Sequence, residues 1–229
     1  MDHVARNLAA VHARIAAAAA SAGRDPASVR LVAVSKAQPA AAVAAARDAG
    51  QVDFGENYLQ DALPKLAALA GRGLCWHFIG QLQSNKTRSV AEHFDWVHTL
   101  DRESIARRLS EQRPASFPPL EVCLQVNVSG EASKGGVAPG RLPALAAAVA
   151  ALPRIRLRGL MAIPVAAKDG EAQRAPFRKL RQLLESLNVE GHRLDTLSMG
   201  MSEDLEAAVM EGATLVRIGT AVFGPRRPK

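Results

Sequence analysis

Short apolar runs rich in β-branched residues alternate with segments of helical periodicity along most of the chain. Eight of the runs have the length and composition of buried strands, and we place them at residues 31–35, 52–55, 75–80, 96–100, 120–127, 157–163, 196–199 and 215–219. A helical pattern follows each of the first seven, at residues 39–49, 59–70, 85–93, 103–112, 141–151, 173–187 and 204–211. The chain therefore reads as one strand-helix unit repeated many times.

Strands that alternate with helices are typical of parallel sheets, and eight of them in 229 residues favour an α/β fold with a closed (β/α)8 TIM-type barrel. A doubly wound open sheet is the weaker alternative, because no Gly-x-Gly-x-x-Gly follows the first strand. Neither a low-complexity linker nor a shift in composition divides the chain. We therefore predict a single barrel domain over residues 1–229.

An alanine tract at residues 15–22 precedes the first strand and resembles the apolar part of a signal peptide. It is short, His12 and Arg14 interrupt its approach, and Gly23-Arg24-Asp25-Pro26 ends it as a helix would end. We predict an extra N-terminal helix in a cytoplasmic protein. No run in the sequence is long and apolar enough to span a bilayer, so we expect no membrane association.

The composition, with 48% hydrophobic and 22% charged residues, is ordinary for a globular protein. The net charge of +7 raises the question of nucleic-acid binding, but the basic residues are scattered and only 4% of residues are aromatic. We therefore predict no nucleic-acid partner, and a basic surface that favours anionic, phosphorylated ligands. Cys75 and Cys123 lie in predicted strands, without metal-ligand spacing or a suitably placed histidine, so we expect reduced, buried thiols and no metal site.

Lys36 ends a run that is otherwise typical of a buried strand. An ammonium group is costly to desolvate, so this one either reaches open space or has a depressed pKa. A lysine in such a position is the usual nucleophile towards a carbonyl compound, with which it forms a Schiff base. The structural alternative is a lysine that marks the strand end and extends into water.

Polar residues recur at the carboxyl ends of the predicted strands, the face on which barrel proteins build their sites. Ser198-Met199-Gly200-Met201-Ser202 and Gly219-Thr220 follow strands seven and eight, where loop amides and a helix N-terminus commonly hold a phosphate. Arg217 lies within the last strand, and a guanidinium inside a barrel needs a partner. It pairs with a carboxylate such as Glu56 or it contacts a ligand.

A candidate Schiff-base lysine, a phosphate-binding loop pair and a polar rim together point to pyridoxal 5′-phosphate (PLP), which needs both its aldehyde and its phosphate held. The chain resembles the pyridoxal phosphate homeostasis protein family, whose fold-type III barrel is similar to the N-terminal domain of alanine racemase. The matching segments cover the chain nearly end to end, and they are residues 32–36, 54–58, 76–86, 159–164, 197–202 and 216–224. Ala37, where the family often has threonine, is a small departure.

The resemblance implies roles for individual residues. Lys36 would form the Schiff base with PLP, Asn57 would line the cofactor, and Arg217 would face the pyridine nitrogen. Ser198, Gly219 and Thr220 would hold the phosphate, and Met199 completes the predicted cofactor-binding set. The implied function is storage, buffering or delivery of PLP, with apo forms of PLP-dependent enzymes as partners and a monomer as the expected state.

Two enzymatic alternatives compete with this carrier function. One is a PLP-dependent amino-acid racemase on the same scaffold, and the other, by fold analogy, is a Schiff-base aldolase acting on a phosphorylated sugar. Racemisation needs a base on each face of the substrate carbon. The racemase relatives take their second base, a tyrosine, from a C-terminal domain that we expect to be absent here, and Tyr58 is the chain's one tyrosine. His77 is a substitute base in principle, although a strand histidine is more often structural. We therefore expect no robust catalytic activity.

Overall fold

Eight parallel strands close into a barrel in sequence order, as the alternating pattern predicted. The computed structural model describes residues 2–130, 135–167 and 169–225. The strands are β1 Arg30–Val34, β2 Asp53–Glu56, β3 Cys75–Phe78, β4 Trp96–Leu100, β5 Leu120–Gln125, β6 Ile155–Met161, β7 Thr196–Ser198 and β8 Leu215–Ile218. Pairing of β1 with β8 closes the barrel, with Val32 opposite Arg217. The (β/α)8 prediction is confirmed.

Helices surround the barrel. They are α1 Asp2–Ser21, α2 Ala40–Asp48, α3 Leu59–Ala68, α4 Thr87–His93, α5 Glu103–Gln112, α6 Leu142–Ala150, α7 Gly170–Val189, α8 Leu205–Met210 and α9 Thr220–Phe223. The predicted N-terminal helix is α1, which buries Val4, Leu8, Val11 and Ile15 on one face and packs against α8 and α9. Among the described residues, no helix combines the length and the apolar character needed to cross a membrane.

Two helical features differ from the sequence-based prediction. Helix α7 begins at Gly170 and not at residue 173, because the Asp169 carboxylate accepts a hydrogen bond from the amide of Ala172 and caps the helix one turn earlier. Helix α9 follows β8 directly and was not predicted. Its four residues are too few to show a helical period.

The alternation of side chains along each strand separates two buried layers. The larger layer lies between the strands and the surrounding helices. The smaller apolar layer fills the barrel interior and consists of Val32, Trp96, Cys123, Met161 and Leu215. The interior also holds polar side chains on the same strand faces, and these are His77, His98, Ser198 and Arg217. The barrel therefore contains a polar column beside its apolar packing.

A buried ion pair joins α3 to the carboxyl ends of β1 and β2. The Lys65 ammonium lies 2.5 Å from Glu56 Oε1 and donates to the carbonyl of Ser35 at 2.8 Å. The Ser35 hydroxyl also donates to Glu56 Oε1, at 2.5 Å. These bonds hold the residue that immediately precedes Lys36. Burial raises the pKa of the Glu56 carboxyl, against the opposing effect of Lys65.

Lys65→Met should lower the free energy of unfolding by about 3–5 kcal/mol, because it leaves a buried carboxylate without its cation. Urea denaturation monitored by circular dichroism would measure the loss. The double variant Lys65→Met, Glu56→Leu should recover much of it, since it buries no unpaired charge. Lys86→Met, at a half-exposed position, is the control and should change stability by less than about 0.5 kcal/mol. A loss below about 1 kcal/mol in Lys65→Met would contradict the role of the pair.

Candidate functional site

A cavity of about 360 Å³ opens at the carboxyl ends of the strands. Five of the seven residues predicted to bind a cofactor line it, and they are Lys36, Asn57, Arg217, Gly219 and Thr220. Apolar side chains line the rest of the wall with a few polar ones, among them Val34, Ile79, Ile163, Pro164, Val165, Met201, Ser202, Glu203 and Asp204. The cavity thus brings together β1, β2 and β8 at the end of the barrel where barrel proteins place their sites.

Ser198 and Met199 lie beneath the cavity and not in its lining. Ser198 is on β7 with its side chain in the barrel interior, and both residues are fully buried. The chain then turns at Gly200, whose φ of 94° is left-handed, and this turn brings Ser202 to the cavity. The second serine of the Ser-Met-Gly-Met-Ser motif therefore lines the same cavity as Gly219 and Thr220, and its position after the glycine was the signal for it.

Lys36 lines the cavity from the end of β1, two residues beyond the last residue of the strand. Its half-buried side chain borders open space, which is one of the two alternatives that the sequence allowed for a lysine at this point. The next residue, Ala37, has a φ of 59°, a left-handed conformation that costs an L-residue roughly 1–2 kcal/mol. Backbone strain of this kind is concentrated at functional sites.

Asn57 lines the cavity and carries a buried acceptor without a hydrogen bond. No described residue donates a hydrogen bond to its Oδ1, although the atom is buried. Buried polar atoms are nearly always hydrogen-bonded, so an orphan in a cavity wall indicates a place for a ligand. Gly80 allows this arrangement, because a Cβ there would lie 2.0 Å from the carbonyl oxygen of Asn57.

Arg217 is buried in the barrel interior and reaches the floor of the cavity. Its Nη1 donates to Ser198 Oγ at 2.7 Å and its Nη2 donates to the carbonyl of Ala162 at 3.0 Å. The suggested pairing with Glu56 is wrong, because Glu56 lies between the barrel and α3 and binds Lys65. Burial lowers the pKa of the Arg217 guanidinium to about 10, so it stays cationic at neutral pH.

Two buried histidines lie deeper in the interior, beneath Arg217. His77 contacts the Asp53 carboxylate and His98, and His98 contacts Ser198. Asp53 and His98 were not singled out from the sequence. The sequence signal for such interior residues is the alternation of side chains along each strand. This alternation puts His98 on the same face of β4 as the interior residue Trp96.

Cys75 also has a histidine neighbour, contrary to the expectation from spacing. Its Sγ lies 3.4 Å from His77 Nε2, because residues two apart on a strand share a face. Asp53 completes a group of three side chains that can bind metals, but its carboxylate already pairs with Arg30 and His77. Burial raises the pKa of the Cys75 thiol, and raises that of Cys123 to about 12, so both are neutral thiols at neutral pH.

Residues 6–227 match the protein family described as alanine racemase, N-terminal domain. The chain belongs to this family. The pyridoxal phosphate homeostasis protein of Pseudomonas aeruginosa is 66% identical over 226 residues, which cover 99% of this chain and 97% of the relative. That of Escherichia coli is 53% identical over 229 residues, covering 99% and 98%. The resemblance inferred from the sequence motifs is therefore confirmed.

A solved structure supports the same assignment. PipY of Synechococcus elongatus, determined with PLP bound, is 38% identical to this chain and superposes with a TM-score of 0.84. The match covers 96% of this chain and 100% of PipY. The shared fold extends over the whole barrel.

Gly80→Ala should displace the backbone at Asn57, because its Cβ has no room beside the Asn57 carbonyl. We expect a loss of roughly 1–3 kcal/mol in unfolding free energy, as for other overpacked sites. Urea denaturation gives the loss, and amide chemical shifts around Asn57 report the displacement. Gly140→Ala is the matched control, since its Cβ would meet nothing within 4 Å, and it should leave both quantities nearly unchanged. Unaltered shifts at Asn57 in Gly80→Ala would show that the close approach does not position this residue.

Proposed function

We propose that this protein binds PLP in the cavity at the carboxyl ends of the strands and serves PLP homeostasis by storing, buffering or delivering the cofactor. The observation that carries the proposal is the convergence of Lys36, Arg217 and the unsatisfied Asn57 acceptor on one cavity. The names of the relatives and the PLP bound to PipY support it. We also propose that the protein acts as a cytoplasmic monomer.

The residues around the cavity fit the groups of PLP. Lys36 would supply the amine for its aldehyde, and Ser202, Gly219 and Thr220 would hold its phosphate. The Asn57 side chain would form a hydrogen bond with a polar group of the ring, either by accepting at its unsatisfied oxygen or by donating from its amide nitrogen. When bound, PLP supplies an aldehyde that condenses with amines and a ring that withdraws electrons. The protein supplies position and electrostatics.

Arg217 would face the pyridine nitrogen. Because the guanidinium is cationic at neutral pH, it would disfavour a proton on that nitrogen, and the ring would be a weaker electron acceptor than with a carboxylate partner. A weaker acceptor suits a protein that holds the cofactor.

The side chains considered as a second base do not line the cavity. His77 is fully buried between Asp53 and His98, and Tyr58 is 64% exposed outside the lining. Of the two acids in the lining, Asp204 accepts a hydrogen bond from the Met201 amide at 2.5 Å and Glu203 is exposed. These placements support a carrier that passes PLP to apo forms of PLP-dependent enzymes.

Lys36→Ala should remove the covalent attachment of PLP while the apo-protein keeps its fold. The measurement is borohydride reduction of the PLP-loaded protein, followed by mass spectrometry of its peptides. We expect one main adduct, on Lys36, in the wild-type protein and in the control Lys86→Ala. A main adduct on any other lysine would overturn the assignment of Lys36.

Incubation of the loaded protein with alanine enantiomers and with an apo-aminotransferase separates carrier from racemase. A general base accelerates a reaction roughly 10²–10⁴-fold. Without a second base, we expect the loaded protein to interconvert the alanine enantiomers about as slowly as an equal amount of free PLP does. We also expect the aminotransferase to gain activity. Scrambling far above free PLP, abolished by Glu203→Gln or Tyr58→Phe, would establish the racemase alternative.

A further inference from the structure

An unbroken hydrogen-bonded chain crosses the barrel interior from the amino-terminal end of β2 to the cavity. His77 Nε2 lies 2.9 Å from Asp53 Oδ1, and His77 Nδ1 lies 2.9 Å from His98 Nε2. His98 Nδ1 lies 2.7 Å from Ser198 Oγ, which accepts from Arg217 Nη1 at 2.7 Å. Of these side chains, only Arg217 lines the cavity.

The two end groups of this hydrogen-bonded chain determine the direction in which its hydrogen bonds are donated. A guanidinium can only donate, so Ser198 Oγ accepts from Arg217 and its own proton is free to go to His98 Nδ1. His98 then carries its proton on Nε2 and donates to His77 Nδ1. His77 likewise carries its proton on Nε2 and donates to the Asp53 carboxylate, which can only accept. In this direction every donor and acceptor of the chain is used with both imidazoles neutral.

The burial of the chain agrees with neutral histidines. Both imidazoles are fully buried, and burial lowers the pKa of each of them. Arg30 pairs with Asp53 at the amino-terminal end, where its side chain is 49% exposed. Desolvation favours a raised pKa for the Asp53 carboxyl, but the hydrogen bond with His77, with a smaller contribution from Arg30, outweighs it and holds that pKa below its usual value.

We propose that Asp53, His77, His98 and Ser198 are positioning residues for Arg217, and that the carboxylate of Asp53 sets the hydrogen-bond direction that holds the guanidinium at the cavity floor. This inference rests on the proposed PLP-binding function. It extends that function, because it assigns part of the binding of the cofactor ring to Asp53, a side chain at the far end of the barrel.

Asp53→Asn tests the direction, because an amide can donate where a carboxylate cannot. If the new amide donates to His77 Nε2, both histidines must shift their protons to Nδ1. Ser198 Oγ would then accept from His98 as well as from Arg217, and its own proton would lose the acceptor it has now. The contact between Ser198 and Arg217 should weaken as a result.

The matched control is Arg30→Gln. It removes the ion pair at Asp53 but leaves the carboxylate that accepts from His77. If Asp53 and its ion pair with Arg30 had only a structural role, Arg30→Gln and Asp53→Asn would have similar effects. The positioning role predicts that Asp53→Asn alone changes the histidines and the cofactor site.

The first measurement is nitrogen-15 NMR of the imidazoles in the unmodified apo-protein, which needs no variant to fold. We expect His77 and His98 each to carry one proton, on Nε2, at neutral pH. His93, exposed on α4, is the internal reference. A proton on Nδ1 of His77 or His98, or a doubly protonated ring, would overturn the proposal.

The second measurement is PLP affinity, with the absorption spectrum of the bound cofactor as a further readout. One hydrogen bond to a charged group corresponds to about tenfold in affinity, so Asp53→Asn should bind PLP about tenfold more weakly and with a shifted spectrum. Arg30→Gln should bind as the wild type does. Equal affinities and spectra in Asp53→Asn and wild type would overturn the positioning role. An absence of PLP binding by the wild type would instead overturn the proposed function.

Discussion

The burial of one guanidinium constrains the whole site. Arg217 enters the barrel interior from β8, where burying an unsatisfied cation costs several kcal/mol. Its side-chain acceptor is Ser198 and its backbone acceptor is the carbonyl of Ala162. Ser198 in turn requires an acceptor for its own proton, and this requirement extends through two histidines to a carboxylate. The polar column inside the barrel follows from the need to satisfy this arginine.

The closure of the barrel brings the arginine to the lysine. Val32 of β1 is in register with Arg217 of β8, and a Cβ at Gly219 would lie 3.5 Å from that of Val34. Lys36 follows β1, so a lysine and an arginine from opposite ends of the sequence reach the same cavity.

The rim of the cavity is open to water. Ile163, Val165 and Met201 are exposed apolar residues in its lining, so the rim does little to exclude water. The rigid support lies on the inner side, where Ser35 and Glu56 hold the end of β1 and Gly80 packs against Asn57. A firm floor with an open rim is consistent with reversible binding of a cofactor.

The sequence alone determined the barrel and five residues of the cavity wall. Strand and helix periodicity is local, and parallel strands that form a barrel present their carboxyl ends on one face. That rule was enough to locate Lys36, Asn57, Arg217, Gly219 and Thr220 at one site. It worked because each of these residues lies within two residues of the carboxyl end of a strand.

Only the tertiary structure decided which side chains meet across the interior. Alternation assigns a residue to a face of its strand, but partners across the barrel depend on the register of strands far apart in sequence. Three features of the site arise in this way. Ser202 and not Ser198 lines the cavity, Arg217 contacts Ser198, and His77 pairs with His98. Local sequence patterns do not specify the register between distant strands. The hydrogen bonds that support the site can therefore be identified only from the closed barrel.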